Sequence, residues 1–393
     1  MARRLRIALL IGASRQYRRD LLRGIADYAR VHGPWSFYHE EQIQGTSVPA
    51  WLKHWEGDGI LARLETRHLV DEIRKKGLPT VDLLGRFDVE GIPAFDNDSV
   101  AVARLGAEHL LNRGFEHFAY CGLPGVHYSD STGACFVEYL RKAGYSVSHF
   151  EGPSRHEVSG ANAEHKAALH EDELARWLVT LPKPVGLMAC NDLRAQQVLN
   201  ACSKRDIAVP NDVAVLGADN DDVLCGLSNP PLSSIDPNAR RIGRESAALL
   251  ERMIAGEPPP RDKILIEPAG VVVRRSTDVL AIADRTVAAA VEYIRDHATE
   301  GLHVDDVLRR VRLSRSTLER RFAKYLGRSP KAEILRVQLQ RVKQFLAETD
   351  YPLNKVARLS GFNHVENMCN LFRRRVGQTP GNYRKQLRAD RGE

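Results

Sequence analysis

Two sets of side chains in this sequence could do chemistry. Asn191-Asp192 and Asp219-Asn220 each close a short apolar run, at 185–190 and 213–217. Ligands of open α/β sheets sit outside the carboxyl ends of strands, so these pairs stand where a ligand is held. Their oxygens and amides accept from and donate to hydroxyl groups, and Tyr17, just after a first apolar run at 5–11, adds an aromatic face. The second set is cationic. Arg309-Arg310-Val311-Arg312 and Arg373-Arg374-Arg375 suit contact with phosphates, which positions a protein on nucleic acid without reading its sequence.

Enzyme chemistry is not spelled out. The chain has no GxGxxG after its first strand, no GxxxxGK[ST], no GxSxG and no HExxH. Asp221-Asp222 adjoins a loop and reads as capping or solvated rather than as a general acid/base pair. The six cysteines (121, 135, 190, 202, 225, 369) show neither CxxC pairing nor a His-rich metal spacing, so they read as reduced, buried thiols of a cytoplasmic protein. Catalytic residues, metal ligands and a cofactor are therefore not expected. No apolar run approaches membrane-spanning length, and the run at 5–11 is too short and too quickly charged for a signal peptide.

The cations belong to one end of the chain. Of 57 Lys+Arg and 50 Asp+Glu, 23 and 13 fall in residues 281–393, a net of +10. Residues 1–280 keep 34 and 37, a net of −3. A charge run alone is usually a solvated face; here it coincides with helix-turn-helix patterning. Val304, Val307, Leu308 and Val311 recur at helical spacing, and Leu318, Phe322 and Leu326 follow after a break at Leu313-Ser314, with Ser314 placed to cap the second helix. The pattern repeats with Leu353, Val356 and Ala357, a turn at Gly361, Asn363 as cap, then Met368, Leu371, Phe372 and Val376. Leu335, Leu339, Val342 and Leu346 predict one connecting helix over 331–349. Such a helix is ~28 Å long, near the ~34 Å between successive major-groove faces of a duplex.

Residues 5–275 alternate strand-like runs (5–11, 35–39, 59–62, 80–84, 117–122, 185–190, 213–217, 271–273) with helical ones (18–29, 100–112, 193–204, 240–254). Short apolar strands between helices predict a doubly wound parallel α/β architecture, too long for one compact sheet and so divided into two lobes. The polar stretch 152–166 reads as a loop or an inter-lobe crossover.

Three motifs in the basic segment carry a resemblance: Ser314-Arg-Ser-Thr-Leu-Glu-Arg-Arg-Phe322, the Gly361-Phe362 turn, and Phe372-Arg-Arg-Arg-Val-Gly-Gln-Thr-Pro-Gly-Asn-Tyr383-Arg384. Over roughly a hundred residues they resemble the AraC/XylS family of bacterial transcription activators. The resemblance implies that Ser316, Glu319 and Arg320 face bases from the first recognition helix, and Glu366, Asn367 and Asn370 from the second. Helical geometry agrees, since all six lie off the apolar stripes. Arg320 suits guanine, Asn370 suits adenine, and either glutamate can accept from cytosine N4. For the glutamates a plain solvated face is an equal reading, because a carboxylate beside phosphates needs a base or a neighbouring Arg. Arg374 is expected on phosphate.

The first part also resembles a known family. His109-Leu-Leu-Asn-Arg-Gly-Phe-Glu-His-Phe-Ala-Tyr-Cys-Gly122, Cys190-Asn-Asp192, Val215-Leu-Gly-Ala-Asp219-Asn220 and Glu267-Pro-Ala-Gly-Val-Val-Val-Arg-Arg-Ser-Thr277 resemble the effector domains of lactose-repressor-type proteins, which share the periplasmic sugar-binding fold. Such a sensor ahead of an AraC-type module is similar to the xylose-responsive activators of bacterial xylose operons. The implied organisation is a two-lobed periplasmic-binding-protein-like α/β sensor over 1–277, a linker over 278–284 with Asp284 as helix cap, and an all-α double helix-turn-helix domain over 285–388. The likeness makes Asn191 and Asp219 the leading ligand residues, with Arg194, Asp98 and Tyr128 behind them. Against these roles stand plainer ones: Asp192 or Asp98 as helix caps, Tyr17 as a surface residue on Arg18. One departure bears on the ligand. Where these sensors carry an Arg, this chain places Thr132, and loss of a guanidinium changes which hydroxyls can be held.

The resulting expectation is a sugar-controlled activator, a pentose such as xylose its effector, with operator DNA, RNA polymerase and a second copy of the chain as partners. A repressor answering another metabolite, or a sugar-processing enzyme with a nucleic-acid-binding tail, are the alternatives.

Overall fold

The computed structural model describes residues 4–40, 48–150, 170–278 and 284–391. The expected crossover at 152–166 lies outside the described residues, as do 279–283 of the expected linker. Contacts divide the chain into two compact units, Met1–Ala281 and Ile282–Glu393.

The first unit begins β1 (Leu5–Leu10), α1 (Gln16–His32), β2 (Trp35–His39), β3 (Gly59–Ala62), α2 (Arg67–Arg74), β4 (Thr80–Asp82) and β5 (Phe95–Asn97). It continues α3 (Ser99–Leu111), β6 (His117–Cys121), α4 (His127–Lys142), β7 (Val147–Phe150), α5 (Glu171–Thr180), β8 (Val185–Ala189), α6 (Asp192–Lys204) and β9 (Val213–Ala218). It closes with α7 (Asp222–Leu227), β10 (Ser233–Asp236), α8 (Ala239–Ile254), β11 (Ile264–Ile266) and β12 (Gly270–Val272). Two sheets result, ordered β2-β1-β3-β4 and β12-β10-β9-β8-β6-β7, and β5 pairs in parallel with β11 as a separate two-stranded sheet. β3, β8 and β9, and β1 from Ile7 onward, are continuous apolar runs because both their faces are covered. The chain returns to the first lobe after building the second: Ala239, Ile242, Leu249 and Leu250 of α8 share a core with Ile7, Leu21 and Ile25. α1 and α8 touch backbone to backbone there. A Cβ on Gly24 would lie 2.0 Å from the Arg240 carbonyl oxygen, and one on Gly243 the same distance from that of Leu21.

Three expectations change. The second sheet is not wholly parallel, since edge strand β12 runs antiparallel to β10. The strand expected over 80–84 stops at Asp82, whose carboxylate accepts from the backbone N–H groups of Leu64, Leu84 and Gly85 and so turns the chain. Strands β5, β7, β10 and β11 were not expected: β7 (Val-Ser-His-Phe) and β11 (Ile-Leu-Ile) are short, β5 reads Phe-Asp-Asn, and β10 reads Ser-Ser-Ile-Asp, its serines spent on buried hydrogen bonds.

The second unit is helical: α9 (Arg285–His297), a 3-10 turn (Ala298–Glu300), α10 (Val304–Val311), α11 (Arg315–Leu326), α12 (Pro330–Glu348), α13 (Leu353–Leu359), α14 (Val365–Val376) and α15 (Pro380–Arg391). α10–α11 and α13–α14 are the two helix-turn-helix pairs, and α12 is the connecting helix, one residue earlier than expected. Asp284 and Ser314 cap α9 and α11 as anticipated. Asn363 does not cap α14: the helix starts at Val365, which makes His364 the N-cap residue, without a side-chain cap bond. Leu339, Val342, Leu346, Val356, Ala357, Met368 and Phe372 form the core of the second pair.

Candidate ligand cleft and nucleic-acid face

Tyr17, Tyr128, Asn191, Asp192 and Asp219, five of the seven expected ligand residues, line one cleft in the first unit with about 1020 Å³ of empty space, its solvent mouth included. β8 and β9 end side by side, which brings Asn191 and Asp219 together. Asn191 serves two functions. As N-cap of α6 its Oδ1 accepts from the Arg194 backbone N–H at 2.8 Å, while its Nδ2 donates to the Tyr128 hydroxyl at 2.9 Å. The amide is thereby fixed before any ligand arrives.

Asp192 follows as the first residue of α6 and is 1 % exposed. Its carboxylate accepts from Ser234 Oγ at 2.5 Å and the Asp221 backbone N–H at 2.7 Å. Burial pushes its pKa up to about 7, against the lowering effect of those bonds, of Cys225 and of the Arg274 charge. Asp192 is thus mainly a brace between strand ends, and the helix cap is Asn191. Asp219 stands in a strained turn: its φ is 109° and that of Asn220 is 48°, a region L side chains rarely adopt. Tyr17 sits in the first turn of α1, half-buried, with the Arg63 guanidinium 5.4 Å over its ring and its hydroxyl accepting from Asn97 Nδ2 at 3.3 Å. Burial, chiefly, pushes its pKa up to about 12, so it stays a neutral hydrogen-bonding group. Tyr17 is therefore a wall of the cleft rather than a surface residue.

Asp98 and Arg194 do not line the cleft. Asp98 caps α3, accepting from the Ala101 N–H at 2.9 Å. Arg194 turns toward β7, its guanidinium 5.2 Å from the Phe150 ring centroid and donating to Gln197 at 2.6 Å. Thr132 is buried one helical turn beyond Tyr128 and is likewise outside the lining, so the cleft is lined around this position by Tyr128. Sequence reasoning missed Arg15, Gln16, Arg18, Arg63, Asp96 and Asn97, which add to the polar lining. Arg63 follows β3 directly, and the strand-end rule applied there would have found it. Several charges in this wall meet partners just behind it. Arg18 pairs with Glu65 at 2.8 Å, Arg63 donates to the Leu83 carbonyl at 3.1 Å, and Arg19 lies 3.8 Å from Asp221. Partly paired charges of both signs with a fixed amide and two tyrosines suit a neutral polyhydroxyl molecule better than an anion.

In the second unit Ser316, Glu319 and Arg320 on α11, and Glu366, Asn367, Asn370 and Arg374 on α14, are all exposed, opposite the buried Leu318, Phe322, Met368 and Phe372. Glu319 lies 3.4 Å from Arg315 Nε, the neighbouring Arg that makes a carboxylate tolerable near phosphates. Among the described residues no group of His, Cys, Asp or Glu is placed to hold a metal ion, and no helix is long and apolar enough to cross a membrane.

Models of known families match in sequence order: a XylR N-terminal domain over residues 6–98, a periplasmic binding protein-like domain over 107–277 and a helix-turn-helix domain over 307–386. The chain is 30% identical over 390 residues to the xylose operon regulatory protein of Escherichia coli (strain K12), covering 97% of each. It is 29% identical over 388 residues to that of Haemophilus influenzae, covering 96% of this chain and 98% of the relative. The solved structure of the xylose-binding transcription activator XylR superposes with a TM-score of 0.75 at 29% identity, covering 98% of each chain. A cellobiose complex of the regulator CelR, at 20% identity and a TM-score of 0.55 over 70% of this chain, shares the fold of the first unit.

Proposed function

The chain belongs to the family of xylose operon regulatory proteins, DNA-binding, sugar-responsive transcription regulators with an AraC-type helix-turn-helix domain, and from that premise we propose that it activates pentose catabolic genes when xylose or a related pentose fills the cleft. In this reading Tyr17, Tyr128, Asn191, Asp192 and Asp219 hold the sugar, joined by Arg15, Gln16 and Asn97. Residues 1–277 form the sensor, 278–284 the linker and 285–388 the DNA-binding domain. Ser316, Glu319, Arg320, Glu366, Asn367 and Asn370 read bases, and Arg374 holds phosphate. The protein acts in the cytoplasm as a homodimer, recruits RNA polymerase and catalyses no reaction.

The observation that carries this reading is the cleft itself, in which the fixed Asn191 amide, the hydroxyls and rings of Tyr17 and Tyr128 and an Arg18 already paired with Glu65 match the hydroxyls and C–H faces of an uncharged sugar. A thermal-shift screen of the purified chain against pentoses, hexoses, polyols and pentose phosphates tests it. A ligand that binds the native state alone stabilises it by ~2.7 kcal/mol at a hundredfold excess over its dissociation constant. A shift with a free pentose supports the reading; a shift with a phosphorylated sugar alone removes it.

A further inference from the structure

Ser233 and Ser234 are neighbours on β10 and so point to opposite faces of the sheet. Toward the cleft, Ser234 Oγ donates to Asp192 Oδ1 at 2.5 Å and accepts from the Asn220 backbone N–H at 3.0 Å. Toward the end of the sensor, Ser233 Oγ accepts from the Arg274 backbone N–H at 2.8 Å and from Thr277 Oγ1 at 2.7 Å. Ser276 Oγ donates to the Val215 carbonyl at 2.6 Å, and Arg113 Nε donates to that of Thr277 at 2.6 Å. Residues 274–277 are thus fastened into the sensor immediately ahead of its junction with the second unit.

One side chain of that segment reaches back to the cleft. Arg274 donates through Nη2 to Asn220 Oδ1 at 3.0 Å and through Nη1 to the Leu232 carbonyl at 2.9 Å. Asn220 directly follows Asp219, and both hold positive φ. Such a turn keeps its shape only while its partners over-determine it, so displacing the Asp219 carboxylate onto a ligand hydroxyl bears on Asn220. We propose that Arg274 is a positioning residue for regulation: its guanidinium fork reads the Asp219-Asn220 turn and sets the path of residues 275–278 as they leave the sensor. A ligand changes DNA affinity only through a difference in its contacts between two states, and this fork supplies the contact by which that difference leaves the cleft. The inference rests on the reading of Asp219 as a sugar residue. Neither Arg274 nor Asn220 lines the cleft, so their loss leaves the sugar contacts in place.

The test uses the full chain as Arg274→Lys, which keeps the charge and loses the two-pronged fork, and as Asn220→Ala, which removes the acceptor. D-xylose affinity is measured by calorimetry, and affinity for a duplex selected by the wild-type protein from a randomised library is measured with and without saturating D-xylose. The wild-type ratio of the two DNA affinities is expected on the order of 5–150-fold. Both variants should bind D-xylose within about threefold of wild type while their ratio falls to within about twofold of one. A variant that keeps both sugar binding and the wild-type ratio overturns the inference, and so does one whose sugar affinity falls in proportion to its coupling. Should the lysine variant not fold, Asn220→Ala decides by the same criteria. Wild-type protein whose DNA affinity ignores every pentose overturns the parent reading, and this one with it.

Discussion

Gln338, buried in the middle of α12, donates through Nε2 to the carbonyl of Gly361 at 3.1 Å and also to that of Ala298 at 2.8 Å. One amide thereby ties the turn of the second helix-turn-helix pair to the turn that follows α9. Gly361 holds φ +80°, and a Cβ there would lie 2.6 Å from the Ala298 oxygen and 2.8 Å from Gln338 Nε2. Gly361→Ala therefore meets strain and a clash together, and should cost ~2 kcal/mol or more in chemical denaturation. Gln338→Leu, which leaves two buried carbonyls unpaired, should cost ~1–3 kcal/mol. Unchanged unfolding midpoints for both would show that this junction does not hold the second pair against α9 and α12.

The helix-turn-helix units were legible because their apolar residues repeat at helical spacing and their caps use residues with one dominant habit, as Asp284 and Ser314 do. Asn363 misled because the helix begins one residue further on, with His364 at its N-cap and no side-chain cap bond there. In the sensor, strand-end acids and amides announced Asn191 and Asp219. The same residue types at Asp98 and Arg194 carry no mark of which way they point, and the structure spends them on a helix end and on Phe150. Arg63, Asp96 and Asn97 lie at or just after other strands, 122 to 156 residues before Asp219 in sequence, and only the strand pairing assembles them with the rest.

The buried His109 gives the sensor an acid-sensitive step. Arg113 Nη1 must donate to its Nδ1, 3.1 Å away, so Nε2 carries the proton and donates to Thr277 Oγ1 at 2.9 Å. Burial, and secondly the Arg113 charge, lower its pKa to about 3. The unfolded chain takes up a proton near pH 6.5, the folded one only far below, so this group's contribution is full above ~6.5 and is lost as pH falls toward 3. The slope from this group is about 1.4 kcal/mol per pH unit at most. Stability measured by urea titration between pH 7 and 4 should fall less steeply for His109→Gln than for wild type; parallel curves would mean that the histidine takes up its proton as readily in the fold as in the unfolded chain.

Asp219 is the place where function and stability should part. Glycine adopts its φ of 109° freely, so Asp219→Gly relieves strain while removing the carboxylate from the cleft. The expected result is an unfolding temperature equal to or above wild type, by the equivalent of ~1 kcal/mol, together with loss of the thermal shift given by the effector. Retained effector binding in this variant would move the ligand site elsewhere.

Two arginines on the DNA face should fail differently. Arg320 is exposed on α11 beside the Ser316 and Glu319 positions, and a guanidinium there can hold guanine O6 and N7 together. Arg374 lies in the last turn of α14 within a run of three arginines, where its charge serves phosphate. Arg320→Ala should lower affinity for a selected duplex by ~1–3 kcal/mol and broaden the preference at one base position, with little change on random DNA. Arg374→Ala should weaken selected and random duplexes alike and reduce the slope of log affinity against log salt by about one phosphate contact. Binding to both duplexes across a salt series distinguishes the two, and an equal loss on selected and random DNA for Arg320→Ala would assign that residue to phosphate and leave base readout on α11 to its neighbours.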